Sequence, residues 1–223
     1  EWLRGRVSMM ESSSSRISID ISGIPKRFHD KDWTNYAVDG GEAKKKRDLA
    51  LHTITQNQSL LLTGGPGAGK THLAIALLKI RAAQLERDGE LLAWAERVSC
   101  WRFRVSFQPA TEFFLQIKKA YNNEDNDDED SVISRALYNK TLVLDDLGSE
   151  KITDWSRQMA YILIDRCYRE EHQLVITSNL SLSQIATSFD DRIASRLVEM
   201  GEIIDLGDKD HRLKKIGQVK QIC

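Results

Sequence analysis

A glycine-rich octapeptide constrains the fold of this 223-residue chain more than any other feature of its sequence. It satisfies the pattern G-x-x-x-x-G-K-[ST], in which glycines let the backbone turn tightly and point its N–H groups at a phosphate. A helix that starts at this turn would add the positive end of its dipole. We expect Lys70 to reach the β- and γ-phosphates of a nucleotide and the Thr71 hydroxyl to bind Mg²⁺. The eight residues are Gly64, Gly65, Pro66, Gly67, Ala68, Gly69, Lys70 and Thr71.

Short apolar runs on either side of helical patterns predict the architecture around this turn. Residues 60–62, 142–144 and 174–176 are each entirely Leu, Val or Ile, which is typical of strands buried on both faces. Helical periodicity separates them, and Ile203–Leu206 reads as a last strand. Strands that alternate with helices predict an α/β fold with a parallel sheet covered on both faces.

Three less regular segments yield weaker expectations. Trp101, Phe103, Val105 and Phe107 alternate with polar residues, which predicts an edge strand with one buried face. The interleaved arginines, Arg102 and Arg104, are alternatively a stacking platform for DNA. Thr111 is expected to cap a helix that runs to Tyr121. The acidic run from Glu124 to Asp130 is expected to be a solvated loop, with a metal or partner site as the alternative.

Polar residues follow the second and third buried strands at the ends where α/β sheets bind ligands. Asp145 is placed to orient Mg²⁺ through its water shell, and Asp146 to polarise an attacking water beside the γ-phosphate. An ordinary turn would also suit the two aspartates. Asn179 is expected to hold the attacking water or to touch the γ-phosphate, with a plain turn asparagine as the alternative.

A pair of arginines and a histidine beside the glycine-rich turn each allow two interpretations. Arg192 and Arg196 lie four residues apart on one helical face, either as surface ion pairs or as a finger offered to a neighbouring subunit's γ-phosphate. His72 follows Thr71 directly, so it could bind the ligand, although packing is the commoner role of such a histidine.

Composition limits the class of protein. Lys and Arg together number 32 and Asp and Glu 33, so the net charge is −1 and bulk positive charge cannot hold the chain on nucleic acid. Three scattered cysteines favour a reducing, cytoplasmic location, and no apolar run is long enough for a membrane span. We expect a flexible tail over residues 1–22, with a serine run from Ser12 to Ser15, and one domain over residues 23–223.

The ordered set of motifs from Gly23 to Arg212 resembles the AAA+ ATPases of the DnaC/DnaI helicase-loader type. The related IstB transposition helpers share much of this pattern. The matching stretches are Gly64–Ala74, Leu142–Glu150, Thr153–Trp155, Thr177–Ser181 and Arg192–Leu197.

This resemblance implies a role for each motif residue. Lys70 and Thr71 would be the Walker A pair, and Asp145 and Asp146 the Walker B pair. Asn179 would be sensor 1. Arg196 would be the arginine finger, with Arg192 as its rival, and Arg212 would be sensor 2.

The resemblance also implies a fold and a function. The fold would be a P-loop NTPase (AAA+) three-layer sandwich with a mostly parallel sheet, its second strand at an edge, and a reduced C-terminal lid. The activity would be a Mg²⁺-dependent ATPase, slow because most AAA+ proteins carry glutamate where Asp146 stands. ATP would lie between subunits of an oligomer that loads a replicative DNA helicase, preferring single-stranded DNA. The alternatives are an IstB-like helper of a DNA transposase and an ATP-dependent adaptor that hydrolyses poorly.

Overall fold

Five strands form one parallel sheet in the computed structural model, which describes residues 23–87, 105–122 and 128–211. All four pairings are parallel, and the strand order is β2-β3-β4-β1-β5. The expected parallel sheet is therefore confirmed, with its second strand at an edge. The strands are β1 (Ser59–Thr63), β2 (Val105–Pro109), β3 (Thr141–Leu147), β4 (Gln173–Ser178) and β5 (Gly201–Asp205).

Helices cover both faces of this sheet. A short 3-10 helix (Lys26–Phe28) precedes the first α-helix. Thr153 and Ser181 each cap the start of an α-helix with their side chains and complete a capping box there. The α-helices are α1 (Gly40–Thr55), α2 (Lys70–Arg87), α3 (Ala110–Tyr121), α4 (Glu129–Leu137), α5 (Asp154–Arg169), α6 (Leu182–Ser188) and α7 (Asp191–Met200).

The strand residues divide the core into two layers. Leu142 and Leu144 of β3 face the cluster built with α3 to α7, whereas Val143 between them faces the cluster built with α1 and α2. All three side chains are at most 1% exposed. Because both faces of the strand are covered, its sequence is continuously apolar, as the three-layer α/β prediction requires.

The edge strand β2 differs from its prediction in one respect. Ser106 was expected on an exposed face, but it is 2% exposed, like Val105 and Phe107 beside it. The reason is that α2 packs on one face of this strand and α3 on the other. Residues 101–104, with Arg102 and Arg104, lie outside the described residues.

Two expectations about the following segment were wrong. Helix α3 begins at Ala110 directly after Pro109, so Thr111 lies inside its first turn and caps nothing; its hydroxyl is 3.3 Å from Ser149 Oγ. The acidic run does not end as a loop. Asp128 caps α4 by accepting from Ser131 N, and Glu129 and Asp130 form its first turn, where carboxylates oppose the positive end of the helix dipole.

The strand order brings three loops together. Since β4 lies between β3 and β1, the turns that follow these three strands are neighbours at the carboxyl edge of the sheet. The tail over residues 1–22 and Arg212 lie outside the described residues. No helix in the described part of the chain has the length and apolar composition needed to cross a membrane.

Candidate nucleotide-binding site

The glycine-rich turn connects β1 to α2 and is closely packed. Gly64 has φ +134°, and a Cβ added there would lie 2.6 Å from Gly207 O. Gly67 has φ +77°, and a Cβ there would overlap the Asp210 carboxylate. These two positions therefore require glycine both for their backbone conformation and for the space they leave.

Lys70 is held inside this turn by neutral acceptors. The residue is only 7% exposed. Its Nζ donates to Gly64 O at 2.7 Å and to Gly65 O at 2.8 Å. A third bond joins Nζ to Asn179 Oδ1 at 2.8 Å. The ammonium group is thus fixed where an anion bound in the turn would meet it.

Asp145 lies at the end of β3 in a buried position, with 9% of the residue exposed. Thr177 Oγ1 of the adjacent β4 donates to Asp145 Oδ1 at 2.6 Å and accepts from Asp146 N at 2.8 Å. Burial raises the pKa of Asp145, and hydrogen bonds from Thr177 and Thr71 oppose that rise. The contact with Thr71 brings the two side chains expected to bind Mg²⁺ together.

Asn179 connects two charged groups of the site, Lys70 and Asp146. While its Oδ1 accepts from Lys70, its Nδ2 donates to Asp146 Oδ1 at 2.9 Å. Asp146 itself adopts a left-handed backbone, with φ +62°, where the pairing of β3 with β4 shifts register between Leu144 and Leu147. The asparagine therefore orients the lysine and the carboxylate of Asp146 toward one point.

The donor set suits Mg²⁺ only together with a nucleotide. The described residues contain no group of three His, Cys, Asp or Glu side chains that could hold a metal ion alone. Mg²⁺ is commonly bound by one or two protein oxygens, with phosphate oxygens and waters completing the octahedron. The Thr71 hydroxyl and the Asp145 carboxylate are such a pair.

These groups line one cavity of about 500 Å³, a volume typical of sites for nucleotide-sized ligands. Its second wall, from Arg27 to Asp39, was not predicted from sequence. The local signal for that wall is the turn at Asp32, whose carboxylate accepts from Thr34 N and Asn35 N. The lining residues are Arg27, Phe28, Lys31, Asn35, Ala37, Asp39, Pro66, Gly67, Gly69, Lys70, Thr71, His72, Asp145, Asp146, Asn179 and His211.

His72 lines the cavity but is engaged by this second wall. Its Nε2 lies 2.8 Å from Asn35 Oδ1 and 3.0 Å from Asp32 O, and its ring meets Tyr36 edge-on with centroids 5.1 Å apart. Burial lowers the pKa of His72, which favours the neutral ring. These contacts favour the packing interpretation of His72, since they attach the N-terminal segment to the start of α2.

The two arginines of α7 lie outside this cavity. Arg196 is paired with Asp165 at 2.6 Å, its guanidinium carbon is 4.7 Å from the centre of the Tyr161 ring, and its side chain is 21% exposed. Among the described residues, its Nη1 is buried and has no hydrogen-bond partner. The Arg192 side chain is 66% exposed and pairs with Asp190. Its guanidinium lies over the same Tyr161 ring. Neither lines the cavity of its own chain.

Comparison with known proteins identifies the family of the chain that carries this site. The family described as IstB-like ATP binding protein matches residues 14–218. An insertion sequence IS21 ATP-binding protein from Pseudomonas aeruginosa is 26% identical over 182 residues, which are 79% of this chain and 61% of that protein. The chain thus spans about three fifths of the length of this curated relative.

Solved structures share the fold. The crystal structure of the DnaC helicase loader aligns with TM-score 0.63 and 26% identity, covering 83% of this chain and 100% of that one. The DnaI crystal structure also aligns with TM-score 0.63, at 18% identity, covering 82% of this chain and 94% of that one. The family model matches residues 14–218, and the phosphate-binding turn and the paired aspartates fit an ATP-binding protein. The chain therefore belongs to the IstB-like ATP-binding protein family and is an AAA+ P-loop protein of the DnaC type.

Proposed function

We propose that this protein is a Mg²⁺-dependent ATPase that acts as a nucleotide-controlled loader of a replicative DNA helicase. The observation that carries the enzymatic part is the bridge in which Asn179 contacts both Lys70 and Asp146. A lysine and a carboxylate held by one amide in a 500 Å³ cavity provide what phosphoryl transfer to water needs, charge neutralisation and an oriented nucleophile.

Each residue then has a role at the nucleotide. The backbone of the glycine-rich turn and Lys70 bind the phosphates, and Thr71 with Asp145 holds Mg²⁺, which neutralises charge on the phosphate oxygens. Asp146 orients the attacking water and polarises it. Its short side chain places the carboxylate farther from the phosphate than a glutamate would, and we expect slow turnover.

Nucleotide between subunits is the second part of the proposal. Arg192 and Arg196 do not line their own chain's cavity, so an arginine of this helix that contacts a nucleotide would contact that of a neighbouring copy. Arginine is suited to this role because its planar guanidinium always carries charge and binds phosphate oxygens in pairs. We propose Arg196 as the finger. Assembly would then report whether nucleotide is bound.

We propose a helicase as the partner because this chain is similar to the DnaC helicase loader. The alignment covers all of that solved chain at 26% identity. A second candidate is a helper of a DNA transposase. It is favoured by the insertion-sequence names of the IS21 relative and of a Geobacillus stearothermophilus relative that is 23% identical.

Phosphate release tests the enzymatic part. The wild-type protein, Lys70→Ala and Asn179→Ala should be compared with and without single-stranded DNA. We expect Lys70→Ala to abolish ATP binding, and Asn179→Ala to bind ATP while losing about 10²-fold in kcat, the usual effect of removing one oriented polar group. Thr187→Ala, at an exposed position of helix α6, is the matched control. Wild-type ATP binding without measurable phosphate release would instead support the adaptor.

Partner capture in ATP separates the two DNA roles. A loader should retain the host replicative helicase and prefer single-stranded DNA. A transposition helper should assemble cooperatively on duplex DNA and retain the transposase of its own element. Lys70→Ala serves as the control, because retention that persists without nucleotide binding is not ATP-dependent loading.

A further inference from the structure

The chain that follows β5 crosses the phosphate-binding turn. We name residues 207–211 the strap. Backbone bonds attach it at both ends, since Gly65 N donates to Gly207 O at 3.0 Å and His211 N donates to Gly67 O at 3.1 Å. The strap therefore lies directly on the residues that would surround the phosphates.

Side chains of the strap alternate between two surroundings. Asp208 and Asp210 lie against the turn, where a Cβ added to Gly65 or Gly67 would meet their carboxylates. Lys209 and His211 point instead to Asp39 of the N-terminal wall. Lys209 Nζ is 2.8 Å and His211 Nδ1 3.8 Å from Asp39 Oδ2. The strap thus joins the turn to the N-terminal wall of the cavity.

His211 is the strap side chain that lines the cavity, and it is 31% exposed. Asp145, Asp146 and Asn179 line the part of the cavity where, beside Lys70, the terminal phosphate would lie. Ala37, Asp39 and His211 line the same cavity, and His211 Nδ1 is 3.8 Å from the Asp39 carboxylate, so we assign this group of residues to the rest of the nucleotide. The imidazole ring, which can donate and accept hydrogen bonds, suits the hydroxyls of a ribose or the edge of a base.

We propose that His211 binds the nucleoside part of the nucleotide, and that the Lys209–Asp39 pair positions the strap for this contact. The proposal rests on the nucleotide binding proposed above. His211 is thus assigned to nucleoside affinity, separately from the phosphate affinity of the turn.

Two ligands separate the nucleoside from the phosphates. Calorimetric affinities for ATP and for inorganic triphosphate, both with Mg²⁺, should be measured for the wild-type protein and for His211→Ala. We expect the substitution to weaken ATP binding about five-fold, the loss of one net hydrogen bond, and to leave triphosphate binding unchanged. His172→Ala is the matched control, because His172 pairs with Glu170 at the opposite edge of the sheet and should alter neither affinity.

Two outcomes would overturn this assignment: unchanged ATP affinity in His211→Ala, or equal losses for ATP and triphosphate. Lys70→Ala should lose both ligands. If the wild-type protein bound neither, nucleotide binding itself would fail, a result distinct from a wild-type protein that binds both while His211→Ala matches it. Should His211→Ala not fold, Lys209→Ala tests the same claim from outside the cavity, and it too should weaken ATP more than triphosphate.

Discussion

Asp145 illustrates, at the scale of one residue, a site that is built at the expense of stability. Its carboxylate is buried beside Asp146, and burial raises its pKa above the ordinary value for an aspartate. A carboxyl group whose pKa is raised by folding stabilises the fold only while it is protonated. That contribution is present below the unfolded pKa and is lost as the pH rises through the folded pKa.

Asp145→Asn should therefore stabilise the nucleotide-free protein. We expect a rise in Tm of about 2–4 °C at neutral pH, equivalent to about 1 kcal/mol in a chain of this size. The gain should shrink at lower pH, as the wild-type carboxyl approaches its raised pKa and takes up a proton. Thermal unfolding followed by circular dichroism at both pH values measures this.

The control for this measurement is Asp154→Asn, since the Asp154 side chain is fully exposed and its charge is not buried by folding. The two variants should differ at neutral pH. A Tm for Asp145→Asn at or below the wild-type value would show that its hydrogen bonds from Thr177 and Thr71 outweigh the cost of burial.

At the scale of elements, Gln173 joins the sheet to the helical layer of α1 and α2 at the edge opposite the cavity. It is 1% exposed, and all its polar atoms are used. Its Oε1 accepts from Thr141 Oγ1 and Arg81 Nε, and its Nε2 donates to Ile54 O and Gln58 O. One side chain thus connects β3, β4, α1 and α2.

Gln173→Ala should destabilise the protein without altering its site. Removing these bonds leaves several buried polar groups without this partner, and we expect the free energy of unfolding to fall by about 2–4 kcal/mol. ATP affinity at a temperature where the variant is folded should stay within two-fold, roughly the measurement error. Urea unfolding and calorimetry measure the two effects, with the exposed Gln158→Ala as control. An affinity loss in the folded variant would contradict this separation.

The sequence predicts the parts of this architecture that depend on local pattern. The apolar triplets identify β1, β3 and β4, and the turn that ends in Lys70 and Thr71 identifies the phosphate site. What the pattern does not contain is pairing across the chain. The contact of Lys70 with Asn179 joins residues 109 positions apart, and the burial of Ser106 depends on helices packed from both sides.

At the scale of the whole molecule, the site and the α7 arginines belong to different surfaces. Arg196 is set against Asp165 and the Tyr161 ring, which limits its rotamers and directs it from a rigid helix. To serve as the proposed finger, its guanidinium would exchange the pair with Asp165 for a phosphate bound to a neighbouring copy.

Mixing two inactive variants tests this arrangement. Arg196→Ala should lower turnover about 10³-fold, as loss of an arginine finger does, and Lys70→Ala should be inactive because it cannot bind nucleotide. Their mixture should regain part of the turnover, since a Lys70→Ala subunit still offers Arg196 to its neighbour. Phosphate release at a fixed total concentration measures the recovery.

Arg192→Ala is the comparison for that experiment. If mixing with Lys70→Ala restores turnover to Arg192→Ala but not to Arg196→Ala, Arg192 is the finger. Full turnover by both single arginine variants would contradict a site shared between subunits.

The left-handed backbone at Asp146 also limits how the proposed ATPase could become faster. Aspartate and asparagine are enriched at positive φ among residues other than glycine, whereas a longer side chain lacks that preference. A glutamate at this position would gain reach toward the water, but it would have to adopt φ +62° or flatten the bulge between Leu144 and Leu147. The reach of the carboxylate and the shape of the backbone are therefore coupled at this position, and Asp146→Glu alone is a poor route to faster turnover.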